Sequence, residues 1–361
     1  MQHTGAYKLR GAYYKISTLT EDERAKGIIT ASAGNHAQGV AYAAKEFGCK
    51  ATIVMPTVTP LIKVNRTKAY GAEVILYGDV YDDACEKAKE LAEQTGSTFI
   101  HPFDDEDVIT GQGTITMEII QELPTVDYIL VPIGGGGLAA GVSTLAKMLN
   151  PKIKVIGVEP ANAASMTEAL DAGQPVTLDK ADTIADGTAV KTVGTNSFQY
   201  VHENVEEVLL VEDDELIGAF LDMVENHKMV VENAGLLTVA ALKQLDLEGK
   251  KVVSILSGGN MDVITMSSIV QHGLIQRDRI FSVSVLLPDK PGELVRVASI
   301  IANAQGNVIK LEHNQFVSTN RNAAVELRIT LESFGTAHKR EILKALEDAG
   351  YKPKCISAKL Y

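Results

Sequence analysis

Four consecutive glycines, Gly134, Gly135, Gly136 and Gly137, followed by Leu138, stand directly after the β-branched run DYILVPI (127–133) and open the helix-like AAGVSTLAKML. Glycines let the backbone turn tightly and point its N–H groups outward, and a helix N-terminus adds positive potential. Strand, glycine loop and helix in that order make a phosphate cradle. The same residues admit a rival reading. Gly134, Gly136 and Ala139 satisfy the spacing G-x-G-x-x-G/A of a dinucleotide-binding turn, and Glu159 lies close to the acidic position such a turn uses for a ribose. This loop sits mid-chain, however, whereas a dinucleotide-binding domain usually opens its own strand–helix–strand series.

Three further segments carry polar groups at places where chemistry is done. SAGNHAQG (32–39) launches a helix after the strand-like GIITA. Its Ser32 and the amides of Gly34 and Asn35 can hold a carboxylate, and the Asn35 side chain can donate to a phenolate-like oxygen. Ser and Asn are also ordinary helix caps, and a lone His36 is more often structural than catalytic. SGGN (257–260) follows KKVVSIL. Its Ser257 can bond a heteroaromatic nitrogen, although the same four residues make a plain turn. Lys8, in TGAYKLRGA, reads by itself as a solvated lysine between small residues and an arginine.

The elements that must position these groups are legible from periodicity. ATIVMP (51–56), AEVILYG (72–78), DYILVPI (127–133), IKVIGVE (153–159) and KKVVSILSG (250–258) read as buried parallel strands. Helices are expected at 36–48, 81–96, 111–123 and 213–227, with Gly48, Gly96 and Pro124 as stop signals. The alternation implies two α/β lobes with a cleft between them, a small one at roughly 22–110 and a large one over the remainder of 1–275. After HGLIQRDR (272–279) the pattern changes. Strand 279–289, helix 291–306, strands NVIKLEHNQFV and AAVELRITLE, a helix around AHKREILKALEDAG and the strand KPKCISAKLY give βαββαβ, the ferredoxin-like order.

Composition narrows the function classes. The chain has 361 residues, 45% hydrophobic and 22% charged, enough for two or three domains with a large core. A net charge of −12 with no basic cluster argues against nucleic acid, while leaving room for a small anion in a local pocket. Cys49, Cys85 and Cys355 are far apart and odd in number, neither a disulfide framework nor a zinc site. MQHTGAYKLR lacks the apolar core of a secretory signal, and no apolar run reaches membrane-spanning length. A soluble cytoplasmic protein is expected.

Six segments in order resemble one family. TGAYKLRGA, SAGNHAQG, GGGGL, TIADGTAV (183–190), VVENAG (230–235) and SGGN occur in this sequence in the fold-type II pyridoxal-phosphate (PLP) enzymes. That group includes threonine dehydratase (threonine ammonia-lyase), serine dehydratase and serine racemase. The resemblance covers essentially all of 1–275 and implies the tryptophan-synthase-β-like fold. Residues 280–361, with DKPGEL (289–294) at the first strand–helix turn, resemble an ACT domain, an amino-acid-sensing module. A PLP region followed by one ACT-like unit is the layout of a threonine dehydratase; serine racemase typically lacks the second part.

The resemblance implies roles. Lys8 holds PLP as a Schiff base and removes the substrate's α-proton. Gly134 to Gly137 and Leu138 bind the phosphate, Asn35 meets the ring hydroxyl oxygen, and Ser257 meets the ring nitrogen. Ser32, Ala33, Gly34 and His36 surround the substrate carboxylate. The implied reaction converts threonine to 2-oxobutanoate and ammonia by β-elimination, with serine to pyruvate as a secondary activity. Some relatives bind a cation through a Glu, a carbonyl and an Asp. Here Glu159 and the Ala163 carbonyl are present, Ser165 replaces the Asp, and a monovalent or divalent ion stays open. Asn233 stands where relatives often carry Pro. The ACT-like unit implies allostery, a branched amino acid such as isoleucine or valine at Gly292 and Asn307, and a homodimer or homotetramer, in isoleucine biosynthesis or threonine catabolism. The alternatives are a serine dehydratase or racemase, a dinucleotide-dependent oxidoreductase, and an inactive amino-acid sensor.

One departure bears on folding. Family members carry some tens of residues before the PLP lysine, including a strand and helix beside the cofactor, whereas Lys8 stands close to Met1. The expectation is a truncated chain that folds poorly or binds PLP weakly, because a missing strand exposes apolar surface and a sheet edge. Stable stoichiometric PLP, followed by its visible absorbance, together with normal turnover of the chain expressed alone would contradict it.

Overall fold

The computed structural model describes residues 2–315 and 325–358. The chain divides into two compact units, Met1–Met261 and Asp262–Tyr361. In the first unit, β1 (Ile28–Ala31), β2 (Ala51–Met55), β3 (Glu73–Leu76) and β4 (Thr98–Phe99) form a parallel sheet in the order β3-β2-β1-β4. A second parallel sheet holds β5 (Tyr128–Pro132), β6 (Lys154–Pro160), β7 (Glu207–Val211) and β8 (Val252–Ser254) in the order β7-β6-β5-β8. All four residues of β1 are buried, as a parallel strand covered on both faces requires. Each lobe has its own core: Ile28, Ile53, Met55 and Ile100 in the small one, Ile129, Val131, Val155 and Met166 in the large one.

Three differences from the expected elements have local causes. The helix expected from Gly111 begins at Glu106, because Asp105 caps it, accepting from the amides of Asp107 and Val108. The helix from Asp213 stays α-helical only to Asp222; one wider turn, Met223–His227, follows and ends at Lys228 with φ +57°. The strand expected over 250–258 stops at Ser254, since the residues after it turn to pair with the N-terminal segment. The edge strand β7, beside Glu206 and Glu207, was not anticipated.

Helices Lys8–Thr18, Glu106–Glu122 and Gly137–Leu149 stack side by side through glycines. A Cβ on Gly111 would stand 2.7 Å from both the Cα of Gly11 and the carbonyl oxygen of Arg10. One on Gly141 would stand 2.2 Å from the Ile109 carbonyl oxygen. This close approach ties the lysine helix to the helix that leaves the glycine loop.

The second unit places β9 (Ile280–Leu287), β10 (Asn307–Asn314), β11 (Val325–Glu332) and β12 (Lys354–Ile356) in an antiparallel sheet ordered β10-β11-β9-β12. With helices Glu293–Asn303 and Thr336–Asp348 this is the βαββαβ arrangement. Phe281, Val283 and Val285 alternate inward against Val297, Ile301 and Ile342. Helix Val263–Gln276 falls in this unit, on the N-terminal side of the boundary that the sequence reading draws at 275–280. The expected strand ends at 316–317, 323–324 and 359–361 lie outside the described residues.

Gly111→Ala should destabilise the first unit by roughly 1–3 kcal/mol, because a methyl group has no room between the helices. The urea midpoint should fall with the slope unchanged; an unaltered midpoint would contradict the close crossing.

Candidate active site

The N-terminal segment and the SGGN turn pair as a short antiparallel ribbon. Ala6 bridges Gly258, the Tyr7 amide donates to the Ser257 carbonyl at 2.9 Å, and the Gly259 amide donates to the Gly5 carbonyl at 2.9 Å. The chain then enters the helix at Lys8. Helix Asn35–Glu46 crosses here through Gly39, whose Cβ would meet the Leu9 nitrogen at 3.0 Å and the Lys8 carbonyl carbon at 3.2 Å. Lys8, Ser257 and the SAGNHAQG helix are thereby brought together.

Lys8 Nζ donates to the Pro102 carbonyl at 2.5 Å, with the Tyr7 and Phe103 ring centroids at 5.5 and 5.8 Å. Burial pulls its amine down to about 8, against the charge of Glu232, which pulls it back up. At pH 7 roughly a tenth of the side chain is then the neutral nucleophile, far more than for an ordinary lysine. Phe103 also reaches the glycine loop. A Cβ on Gly135 would lie 2.3 Å from its ring, and one on Gly137 would lie 2.3 Å from its carbonyl oxygen. Gly136 has φ +97°, a left-handed conformation that favours glycine. The amides of Gly137 and Leu138 open helix Gly137–Leu149 and have no acceptor within it. TIADGTAV closes the far side, with Thr188 Cα 3.0 Å from where a Gly134 Cβ would stand.

A chain of buried polar groups runs behind the lysine. Asn35 Nδ2 donates to Glu232 Oε1 at 2.8 Å and Oε2 at 3.0 Å. Asn35 Oδ1 accepts from Asn260 Nδ2 at 2.9 Å, and the same Nδ2 donates to the Thr4 carbonyl at 2.6 Å. Glu232 is 8% exposed, and burial pushes its carboxyl up to about 7, opposed first by the Asn35 bonds. Glu232, Asn260 and Phe103 were given no role from sequence. A carboxylate within the otherwise buried run that leads into helix Asn233–Ala240 was the available signal for Glu232.

Other expected site residues are placed as follows. Ser32 Oγ accepts from the Gly34 amide at 3.2 Å, and Ala33 packs against the small-lobe core. His36 turns inward, its Nε2 3.0 Å from the Ile100 carbonyl. A carbonyl only accepts, so Nε2 carries the proton; burial holds the ring down at about 3, hence neutral. Its Nδ1 is buried without a partner. Glu159 is fully buried and caps helix Ser165–Ala172, accepting from Met166 N at 2.7 Å, Thr167 N at 2.9 Å and Thr167 Oγ1 at 2.8 Å. Both oxygens are engaged in that cap, and Ala163 ends a short 3₁₀ turn. Among the described residues no group of three or more His, Cys, Asp or Glu is placed to hold a metal ion. In the second unit, Gly292 precedes helix Glu293–Asn303 with φ +93°, and Asn307 Nδ2 donates to Glu332 at 3.1 Å. Among the described residues no helix is long and apolar enough to cross a membrane.

Two open parallel sheets, a buried lysine and a glycine-lined helix N-terminus together define a class of cofactor enzyme. The model of the family described as "Pyridoxal-phosphate dependent enzyme" matches residues 1–258, and the chain belongs to that family. It is 43% identical over 357 residues to a protein of Thermotoga maritima named L-threonine ammonia-lyase, covering 99% of this chain and 89% of that one. Among solved structures it is similar to the processed form of threonine deaminase isoform 2 from Solanum lycopersicum, with a TM-score of 0.72, 43% identity, and coverage of 75% and 80% of the two chains. Serine racemase from Dictyostelium discoideum is similar at TM-score 0.69 and 38% identity, with 73% and 86% covered.

The residues present fit PLP. The loop has no room for side chains where a phosphate needs backbone amides, and Phe103 lies against both the loop and the part-buried Lys8 amine. Glu159 stands outside this group and has a structural task. Glu159→Ala should cost roughly 2–4 kcal/mol, because it strands two buried amides. Chemical denaturation measures this, and a loss under about 0.5 kcal/mol, the range of ordinary surface changes, would contradict the capping role.

Proposed function

We propose that this chain deaminates L-threonine to 2-oxobutanoate and ammonia with PLP, and acts on L-serine as a secondary substrate. The observation that carries the proposal is the part-buried Lys8 amine, pulled down to about 8 and set near a glycine loop whose backbone amides suit a bound anion. The names of the similar proteins from Thermotoga maritima and Solanum lycopersicum support threonine as the substrate.

PLP, when bound, supplies the electron sink that makes the substrate's α-hydrogen acidic and lets the β-hydroxyl leave. The chain's residues do the rest. Lys8 captures the cofactor and, once released by substrate, takes the α-proton on Nζ. The amides of Gly134 to Gly137 and Leu138 hold the phosphate. Asn35 donates to the ring oxygen. Ser257 would meet the ring nitrogen as a neutral hydroxyl rather than a carboxylate, a partner that would suit elimination over transamination. Ser32, Ala33 and Gly34, at the start of helix Asn35–Glu46, receive the substrate carboxylate; His36 supports that helix from behind. The β-hydroxyl takes up a proton and leaves as water, and one water is consumed when the enamine, through its imine form, hydrolyses to the oxo acid and ammonia.

Residues 1–275 are the catalytic region in this reading, and the ACT-like unit over 280–361 senses an amino acid near Gly292 and Asn307 in a homodimer or homotetramer. Two measurements test the proposal. Wild type should form 2-oxo acid from threonine faster than from serine, with a rate that responds to isoleucine, and Lys8→Ala should lose at least about 10³-fold. Unchanged turnover in Lys8→Ala would overturn the role of Lys8, and racemised serine without oxo acid would favour the racemase alternative. Secondly, only the neutral amine attacks PLP. Capture by the cofactor-free protein should therefore accelerate about tenfold per pH unit below its titration and level off above about 8. A flat profile from pH 6 to 9 would contradict the buried, depressed amine.

A further inference from the structure

We propose that Glu232 is a positioning residue, whose carboxylate holds the Asn35 amide with Nδ2 turned away from Asn260, the orientation in which Asn35 can donate to the PLP ring oxygen. This deepens the PLP reading and rests on it.

The argument is one of donors and acceptors. An amide offers two N–H donors on one side and an acceptor on the other, so its direction is set by its neighbours. The Thr4 carbonyl can only accept, which fixes Asn260 with Nδ2 toward it at 2.6 Å. That same Nδ2 lies 2.9 Å from Asn35 and demands an oxygen there. At the other end Glu232, when ionised, can only accept, and it presents both oxygens to Asn35 Nδ2 at 2.8 and 3.0 Å. The amide is pinned from both sides by groups with no choice of direction.

The surroundings are built for this carboxylate. The Glu232 amide donates to the Gly258 carbonyl at 3.0 Å, which fixes its backbone to the turn that carries Ser257. A Cβ on Gly258 would lie 2.2 Å from Glu232 Oε1, and one on Gly5 would lie 2.4 Å from Asn260 Oδ1. Two glycines, one in each strand of the ribbon, thus leave room for the two ends of the polar chain. A carboxylate 8% exposed is costly to desolvate in its ionised form. A neutral residue of similar size would avoid that cost, so the charge has a use. Lys8, Tyr7, Asp186 and Lys63 are the charged or titratable groups that act on Glu232 or feel it. Asp186 and Lys63 lie 3.7 Å apart and act on Glu232 with opposite signs, Asp186 the more strongly.

Glu232→Gln tests the role. The glutamine keeps the size but places an NH₂ where one carboxylate oxygen faced Asn35 Nδ2, so one bond is lost and two donors oppose each other. In the full chain loaded with PLP, the variant should bind PLP about 10–100-fold more weakly, as loss of a buried charged hydrogen bond predicts. The visible absorbance of lysine-bound PLP in wild type should step as pH crosses about 7, where Glu232 titrates, and the step should vanish in the variant. Glu232→Asp, which keeps the charge, should restore part of the affinity and the step. In an Asn35→Ala background the Glu232→Gln change should have little further effect on PLP affinity, because Glu232 acts through Asn35. If Glu232→Gln does not fold, the same cycle is run with Glu232→Asp. Unchanged affinity and pH profile in a folded variant, or effects that add fully in the double variant, would overturn the proposal. Wild-type protein that captures no PLP would overturn the functional reading on which it rests.

Discussion

The pairing of Ala6 with Gly258 is the contact on which the site depends. It joins segments from opposite ends of the first unit and does so by main-chain hydrogen bonds, which tolerate no change of register without moving Lys8. From that seam the lysine enters its helix, Ser257 is held beside it, and Glu232 is drawn in through the Gly258 carbonyl. The glycine-lined crossings of the lysine helix against helix Glu106–Glu122, and of that helix against Gly137–Leu149, then set the distance from amine to loop. Lobes built on separate parallel sheets contribute to one set of polar groups because these few backbone contacts link them.

Keeping ionisable groups inside costs stability, and the sign depends on the group. Lys8 titrates near 8 in the fold and near its ordinary value when unfolded. Between those values the unfolded chain binds more protons, so stability rises with pH through that window. Glu159 and Glu232 are pushed up to about 7, so the folded chain binds more protons above their ordinary range, and stability falls as pH rises toward 7. At neutral pH the two carboxyls sit near the middle of their titrations and the Lys8 amine is still mostly protonated, and the apolar cores of the two lobes offset the cost of keeping these groups inside. A depressed amine beside a raised carboxyl is the pattern expected where proton transfer is the work.

Much of this was legible in the chain itself. The β-branched runs ended by Gly or Pro predicted five of the strands, and the βαββαβ order predicted the third sheet, because periodicity and turn chemistry are local properties. The glycine loop was legible for the same reason. What was not legible depended on partners far away in sequence. Phe103 became visible only when its ring appeared against Gly135, and Glu232 only when its carboxylate met Asn35. Glu159 and His36 show the converse: polar residues near motifs, whose bonds in the structure are a helix cap and a contact with a main-chain carbonyl. The cap at Asp105 was missed although its signal, an acidic run before an apolar period, was present in DDEDVI.

The central claim is that PLP attaches to Lys8. Reduction of the PLP-loaded protein with borohydride fixes the cofactor to whichever lysine holds it, and peptide mass mapping then reads the position. The account predicts one phosphopyridoxyl group per chain, on the peptide containing Lys8. A label on another lysine, or label spread over several surface lysines with Lys8 unmodified, would contradict it.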